Sequence, residues 1–211
     1  NICQQLYTMV DTMVVGQVAG VEALAALGAV DFLMWVVTGI STGLTQGFSI
    51  QLSQYYGAKD FENLRKSLAH SYRLTAFIAA GVLILSQSFA SLVLTGLHTP
   101  SNIIGMSLLY LRIIFCGIPA TAAYNMFASA LRAMGNSKTP LTAMIIASVL
   151  NVSLDILFVA GFGWGVAGAA IATVIAQSFS AVYCFLILRR IDIVHLTRAD
   201  FMPASGMNAR L

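Results

Sequence analysis

The stretch Asn151-Val152-Ser153-Leu154-Asp155 places an amide and a carboxylic acid inside a long apolar run. Asp155 is the one charged residue between Lys138 and Arg189. A carboxylate at the centre of a bilayer costs roughly 2.5 to 3.5 kcal/mol on insertion scales, so such residues are rare and usually functional. Residues four apart share one face of a helix. The stretch therefore indicates a membrane-spanning helix that carries a polar site.

The composition supports a membrane protein. The chain of 211 residues is 58% hydrophobic and only 9% charged, whereas soluble domains average roughly 25% charged residues. The net charge of +3 is explained better by where the charges lie than by a nucleic-acid partner, and none is expected. The cysteines and histidines are too widely spaced to predict a disulfide framework or a metal-binding motif: Cys3, Cys116, Cys184, His70, His98 and His195.

Six segments have the length and apolar character of membrane helices, or nearly so, since a span needs about 20 such residues. They are residues 1 to about 19, 24–54, 68–97, 103–132, 140–160 and 165–188. Short connections favour antiparallel neighbours. The predicted fold is an all-α membrane protein, a six-helix bundle over residues 1–190, followed by a cytoplasmic linker over 191–211. The first segment is interpreted as a truncated helix, because it lacks the basic start and cleavage site of a signal peptide.

The basic residues predict the orientation, because they collect on the cytoplasmic side. Ten of the eleven fall at the second connection, the fourth connection or the C-terminal tail: Lys59, Arg65, Lys66, Arg73, Arg132, Lys138, Arg189, Arg190, Arg198 and Arg210. We therefore predict a multi-pass protein of the plasma (cytoplasmic, or inner) membrane with these three regions in the cytoplasm. The eleventh, Arg112, lies inside the fourth span. Either Arg112 pairs with an acid or lines a cavity, or its side chain snorkels to the outer interface of the membrane.

Small residues and one proline predict how the helices pack. Spacing of four between small residues allows close helix approach, and it occurs in the second span at Gly39, Gly43 and Gly47 and in the sixth at Gly165, Ala169 and Thr173. Gly117 followed by Pro119 should bend the fourth span, since proline removes a backbone hydrogen bond.

The first span carries a second intramembrane acid, Asp11, within a polar stripe that includes Gln4 and Thr8. Such a stripe requires protein or water opposite it. Burial favours the protonated form of a carboxylic acid and a nearby cation favours the ionised form, so Asp11 or Asp155 could exchange a proton for sodium or for a cationic substrate. The alternative is an acid held protonated in a hydrogen bond between helices. These features predict the ion-coupling site of a transporter.

Several stretches together resemble the multidrug and toxic compound extrusion (MATE) family, in its bacterial type, in order and spacing across the first six helices. They are Leu6-Tyr7-Thr8-Met9-Val10-Asp11-Thr12-Met13-Val14-Val15-Gly16, Gln54-Tyr55-Tyr56-Gly57-Ala58-Lys59-Asp60, Leu131-Arg132-Ala133-Met134-Gly135-Asn136, Asn151-Val152-Ser153-Leu154-Asp155 and Gly165-Val166-Ala167-Gly168-Ala169-Ala170-Ile171-Ala172-Thr173. Each stretch is weak alone, but jointly they are specific.

The resemblance implies export of amphipathic, often cationic compounds in exchange for Na+ or H+, with no other cofactor. It implies a cation site whose members match Asp11, Asn151, Asp155 and Thr173. Asn151, Asp155 and Thr173 would hold the ion, with Asp155 and Asn151 as the expected ligands of a bound Na+, while Asp11 would change protonation and bend or straighten its helix. Gln4 and Tyr7 match positions that face the substrate cavity, and Thr8 joins them on the polar stripe.

Two features depart from the family pattern. Members have about twelve helices in two lobes, whereas this chain ends at Leu211, and the family's first-helix proline precedes the region present in this sequence. We therefore expect the N-terminal lobe alone, partnered by the lipid bilayer and by a C-terminal lobe that is missing from this chain. A non-transporting truncated fragment stays an alternative.

Two other functional classes compete with drug transport. A lipid-linked oligosaccharide flippase should want several intramembrane basic residues for pyrophosphate, and only Arg112 is available. An intramembrane aspartyl protease needs Tyr-Asp and Gly-x-Gly-Asp sequences, but Val10 and Leu154 precede the acids. The serine motif Gly39-Ile40-Ser41-Thr42-Gly43 lies inside a span rather than at a strand-to-helix turn. We therefore predict that the protein is not an enzyme.

Overall fold

The structure is a computed structural model that describes residue 9 and residues 12–191, apart from the side chains at 32, 41 and 44–46. Within these residues the chain is helical and contains no strand. We number the α-helices α1 (residues 12–18), α2 (Val21–Gly57), α3 (Phe61–Gly96), α4 (Ile104–Cys116), α5 (Ile118–Ala133), α6 (Lys138–Asp155) and α7 (Gly165–Arg189), and a short π-helix, Ile156–Gly161, follows α6. The predicted all-α membrane bundle is confirmed.

The helices reproduce the predicted spans from the second to the sixth. Three are long and apolar enough to cross a membrane by themselves, namely α3, α6 with its π-helix, and α7. Two bent pairs, one within α2 and one formed by α4 and α5, raise the number to five when each is counted as one span. The predicted first span lies largely outside the described residues, and the division into residues 1–190 and 191–211 stays a prediction.

The bend between α4 and α5 occurs where the sequence predicted it. The two helices meet at Gly117 with an angle of 43°. Pro119 lies in the first turn of α5, where a missing N–H costs least. Gly117 is required by packing as well, because a Cβ there would lie 2.7 Å from Cγ2 of Val174 on α7. The bend therefore lets α7 approach the middle of this span.

Two apolar cores fill the bundle. One lies at the end where the basic connections gather, which we call the basic end, and it includes Leu52, Leu68, Met126, Ala143 and Leu188. The other lies at the opposite end and includes Val15, Leu27, Leu94, Leu111, Val159 and Ala169. The bundle also buries polar side chains, among them Ser71, Thr75, Asn151, Asp155 and Ser180. These include the acid that is conspicuous in the sequence.

The two runs of small residues have different outcomes. In α7, Ala169 is fully buried, and the neighbouring Gly168 packs tightly against the π-helix, so the predicted close approach is confirmed. In α2, Gly39, Gly43 and Gly47 are exposed, and a Cβ added at any of them would meet no atom within 4 Å among the described residues. Among the described residues nothing packs closely against the α2 glycines, so the prediction of tight packing is wrong for this part of the chain.

Arg112 also lies on the outside of the bundle. Its side chain is exposed on α4, and the amide of Gln87 donates to its backbone carbonyl at 2.8 Å. Within the part of the chain that the structure describes, no acid forms an ion pair with Arg112. Exposure favours the snorkelling interpretation over a role in lining an internal cavity.

Candidate functional site

The candidate site lies in the last turn of α6. Asn151 and Asp155 are 1% and 0% exposed, and their spacing of four places both on the inward face of the helix. Full burial of an acid and an amide in an apolar bundle is costly unless their polar atoms find partners. The burial of this pair therefore makes the position a candidate for binding a polar ligand or ion.

Thr173 of α7 meets this pair. The side-chain amide nitrogen of Asn151 donates to Oγ1 of Thr173 at 3.3 Å. This bond leaves the amide oxygen of Asn151 available, and that oxygen is buried with no hydrogen-bond partner among the described residues. The structure thus brings together Asn151 and Thr173 from two helices, with Asp155 one helical turn from Asn151.

The oxygen atoms of these three side chains suit a small cation. A carboxylate, an amide carbonyl and a hydroxyl are hard donors, the type that alkali and alkaline-earth ions prefer over nitrogen or sulfur. The set carries one negative charge when Asp155 is ionised and none when it is protonated. It can therefore balance one monovalent cation or accept one proton.

A π-helix, Ile156–Gly161, begins immediately after Asp155. The backbone N–H of Phe162 donates to the carbonyl of Leu157, five residues earlier, at 2.9 Å. Such wide turns are rare and occur frequently at functional sites. The sequence did not predict this element, because neither hydropathy nor spacing distinguishes it from an ordinary last turn.

Close packing of α7 on the π-helix sets the distance between the helices at the site. A Cβ on Gly168 would lie 3.0 Å from Cβ of Phe158 and 3.2 Å from Cβ of Trp164. The rings of Phe158 and Trp164 stack with centroids 5.1 Å apart. This packing fixes α7 beside the end of α6 and so presents Thr173 to Asn151.

The predicted residues of the first helix lie outside the described residues: Gln4, Tyr7, Thr8 and Asp11. The described part of that helix lies at the end of the bundle opposite the basic end. Val15 is fully buried in the core there, and Cβ of Ala19 lies 3.9 Å from the position that a Cβ on Gly165 would occupy. The end of α1 therefore packs near the start of α7.

An acid in the second span was absent from the predicted site. Asp31 lies in α2 and is exposed, at the point where the first part of that helix, Val21–Asp31, meets the second part, Leu33–Ile40, at 41°. The signal was present in the sequence, because any charged residue inside an apolar span is a candidate functional residue.

Comparison with known proteins gives the family. The sequence matches the MatE family over residues 1–157. It is 32% identical to the probable multidrug resistance protein YoeA of Bacillus subtilis (strain 168) over 192 residues, which is 89% of this chain and 41% of that protein. It is 31% identical over 183 residues to the probable multidrug resistance protein YpnP of the same organism, covering 87% of this chain and 41% of that one.

The fold agrees with a solved MATE transporter. The crystal structure of MATE in the bent conformation is similar with a TM-score of 0.91 and 25% identity, over 98% of this chain and 46% of that one. The chain thus spans less than half the length of these two relatives and of this solved structure. These relatives are multi-pass membrane transporters, not enzymes. The chain therefore belongs to the MatE family of multidrug and toxic compound extrusion proteins, and its described helices form one lobe of that fold.

Proposed function

We propose that the whole transporter exports amphipathic, often cationic compounds and couples this export to Na+ or H+ entry through Asn151, Asp155, Thr173 and Asp11. The observation that carries the proposal is the fully buried pair Asn151 and Asp155, with Asn151 bonded to Thr173 of the next helix. The relatives that are named for multidrug resistance support the export of drugs.

Burial explains why this site would couple ion entry to export and would not simply bind an ion. An ionised Asp155 without a counterion is costly inside the bundle, so the acid favours either a bound proton or a bound Na+. The two ions therefore exclude one another at the same carboxylate. Entry of one from outside and its release inside would return the site to the same state in each cycle.

Ion binding would be transmitted through helix packing. Asp155 is the last residue of α6 and the π-helix begins at the next residue, so a change at this carboxylate acts on an irregular segment that already departs from α-geometry. The π-helix packs against α7 at Gly168, and α1 approaches α7 at Gly165. Asp11 on the first helix would add a second protonation site to this group.

The orientation and the second lobe are part of the proposal. The basic end of the bundle would face the cytoplasm, following the distribution of lysine and arginine. Alternating access requires a second lobe that moves against this one around a central substrate site. Export is therefore proposed for the full-length transporter, in which this lobe supplies the ion site.

Efflux from proteoliposomes tests this function. The full-length transporter would be reconstituted, and Na+ and pH gradients would be imposed separately while export of an organic cation is followed. Replacing Asp155 with Asn should abolish the response to either gradient without preventing membrane insertion. Glu22→Gln is the matched control, because Glu22 is an exposed acid in the first turn of α2. Gradient-driven export that is unchanged in Asp155→Asn would refute the site.

A further inference from the structure

We propose that Asp31 and Trp35 of α2 form a recognition element for the organic-cation substrate, on the open face of the lobe. The inference rests on the proposed export function and adds a binding site separate from the ion site. Both side chains are exposed, Trp35 by 82%, and they lie four residues apart, about one helical turn, on either side of the 41° bend in α2.

The position of Asp31 requires a polar environment. It lies ten residues into α2, roughly 15 Å along the helix axis at 1.5 Å per residue, and therefore well inside an apolar span. A carboxylate at such a depth does not face lipid; it faces a bundle interior or a water-filled cavity. Because Asp31 is exposed on this lobe, the face that carries it must border water, substrate or another segment.

Among the described residues no basic side chain forms an ion pair with Asp31, and the intramembrane base Arg112 is exposed on a different helix. The negative charge of Asp31 is thus available to a ligand. An exposed single carboxylate cannot replace the hydration shell of a small ion, but it can pair with a large, weakly hydrated organic cation.

Trp35 supplies the second half of the recognition. An indole is the best aromatic partner for a cation, and the attraction is worth about 0.5–1 kcal/mol at exposed sites and more when water is excluded. Its flat apolar surface also suits the hydrophobic part of an amphipathic compound. A carboxylate one helical turn from an exposed indole therefore matches both the charged part and the hydrophobic part of such a ligand.

Other parts of the α2 surface leave room for a ligand. Gly28, Gly39, Gly43 and Gly47 are exposed along α2, and a Cβ at any of them would meet no atom within 4 Å among the described residues. Farther toward the basic end, Gly47, Gln51 and Tyr55 line an open cavity of about 410 Å³. At these positions the described residues therefore leave the surface of α2 uncrowded.

The exposed face of α3 provides the contrast. Away from the charged residues at its start, α3 exposes several large apolar side chains: Phe77, Ile84, Leu85, Phe89 and Leu92. This is the pattern expected for contact with lipid. The surface of α2 also exposes apolar side chains such as Val36 and Ile40, but it adds an acid, an indole and glycines, a combination that suits a cleft holding a cationic compound.

Equilibrium dialysis of the purified full-length transporter tests the inference with two probes of similar shape, the cation tetraphenylphosphonium and the uncharged triphenylphosphine oxide. Asp31→Asn should weaken tetraphenylphosphonium binding about tenfold, equivalent to 1.4 kcal/mol, and leave the uncharged probe unaffected. Trp35→Leu should weaken the cation several-fold, and Trp35→Phe should restore part of that loss. Glu22→Gln should change neither probe.

Two results would overturn the inference. The first is native tetraphenylphosphonium affinity in Asp31→Asn. The second is a loss of both probes together with a lower unfolding temperature in Asp31→Asn, which would mean that Asp31 pairs with a base on another segment. Failure of this site is separable from failure of the proposed function, because ion coupling is read from the gradient response of Asp155→Asn in proteoliposomes.

Discussion

Asp155 and Asp31 are both acids inside apolar helices of one lobe, but their surroundings differ completely. Asp155 is 0% exposed and lies one turn from Asn151, which is itself bonded to Thr173. Asp31 is exposed and lies about one helical turn from the exposed indole of Trp35. A buried acid with neighbouring oxygen atoms suits a small cation that has lost its water. An exposed acid suits a large, weakly hydrated organic cation. The same residue type can therefore serve the ion in one place and the substrate in the other.

The largest expected difference is in ion-dependent stability. An ion that binds only the folded protein raises its stability, by roughly 2.7 kcal/mol at one hundred times the Kd. In the native transporter, either Na+ or a change of pH should shift the unfolding temperature, and Asp155→Asn should remove that shift. Asp31→Asn should keep it. An equal loss in both variants, measured by thermal unfolding in detergent, would break the distinction between the two acids.

The two regions should also differ in their tolerance of a methyl group. Gly168→Ala places a Cβ 3.0 Å from Phe158, and overpacking of this type costs typically about 1–3 kcal/mol. Gly39→Ala meets no atom within 4 Å among the described residues and should be neutral or slightly stabilising, because alanine favours helix. Chemical or thermal unfolding of the two variants measures the contrast. Equal destabilisation would show that the α2 face is packed against another part of the transporter.

Removal of the Thr173 hydroxyl tests the contact between α6 and α7. Thr173→Val deletes the acceptor of the Asn151 amide, and leaving a buried donor without a partner costs about 1–3 kcal/mol. Ion affinity should fall as well, since one oxygen is lost. Thr173→Ser keeps the oxygen and should retain most of both properties. Unfolding curves with and without Na+ separate the two effects, and a harmless Thr173→Val would exclude this hydroxyl from the site.

Replacement of a third acid, Asp60, should have the smallest effect on stability. Asp60 caps α3, and hydrogen bonds from the side chain and backbone of Asn63 hold its pKa below the ordinary value. Because the folded-state pKa is the lower one, the contribution to stability is complete above the unfolded-state pKa and is lost as pH falls through the folded value. Asp60→Ala should slightly flatten the acid side of the stability curve, measured by unfolding at a series of pH values. Water screens a surface carboxylate. Asp60→Ala should therefore change the pH dependence of stability less than Asp155→Asn does, and an equal change would contradict this explanation.

Much of the fold was predictable because hydropathy over twenty residues is a strong signal. The five spans from α2 to α7 and the bend at Gly117 follow from apolar length and from proline chemistry. The pair Asn151 and Asp155 was conspicuous for the same reason, as polar groups in an apolar run. The place of Thr173 in the site was expected from the family resemblance, because the spacing of small residues in α7 predicted only close packing.

The remaining features depend on packing that a linear pattern does not encode. Spacing of four between small residues is identical in α2 and α7, yet Ala169 of α7 is buried and the α2 glycines are open. The π-helix after Asp155 arises where Phe158, Trp164 and Gly168 pack together, and no periodicity predicts it. Asp31 was visible in the sequence, but its significance comes from its exposure on an open face.

The most direct test of the two roles compares Asp31→Asn and Asp155→Asn in the same export assay, in proteoliposomes of the full-length transporter. We expect Asp31→Asn to raise the KM for tetraphenylphosphonium about tenfold, which corresponds to 1.4 kcal/mol, and to keep its response to the ion gradient. We expect Asp155→Asn to respond to neither gradient, while equilibrium dialysis of the same variant shows native affinity for tetraphenylphosphonium. The same defect in both variants would contradict the assignment of one acid to the ion and the other to the substrate.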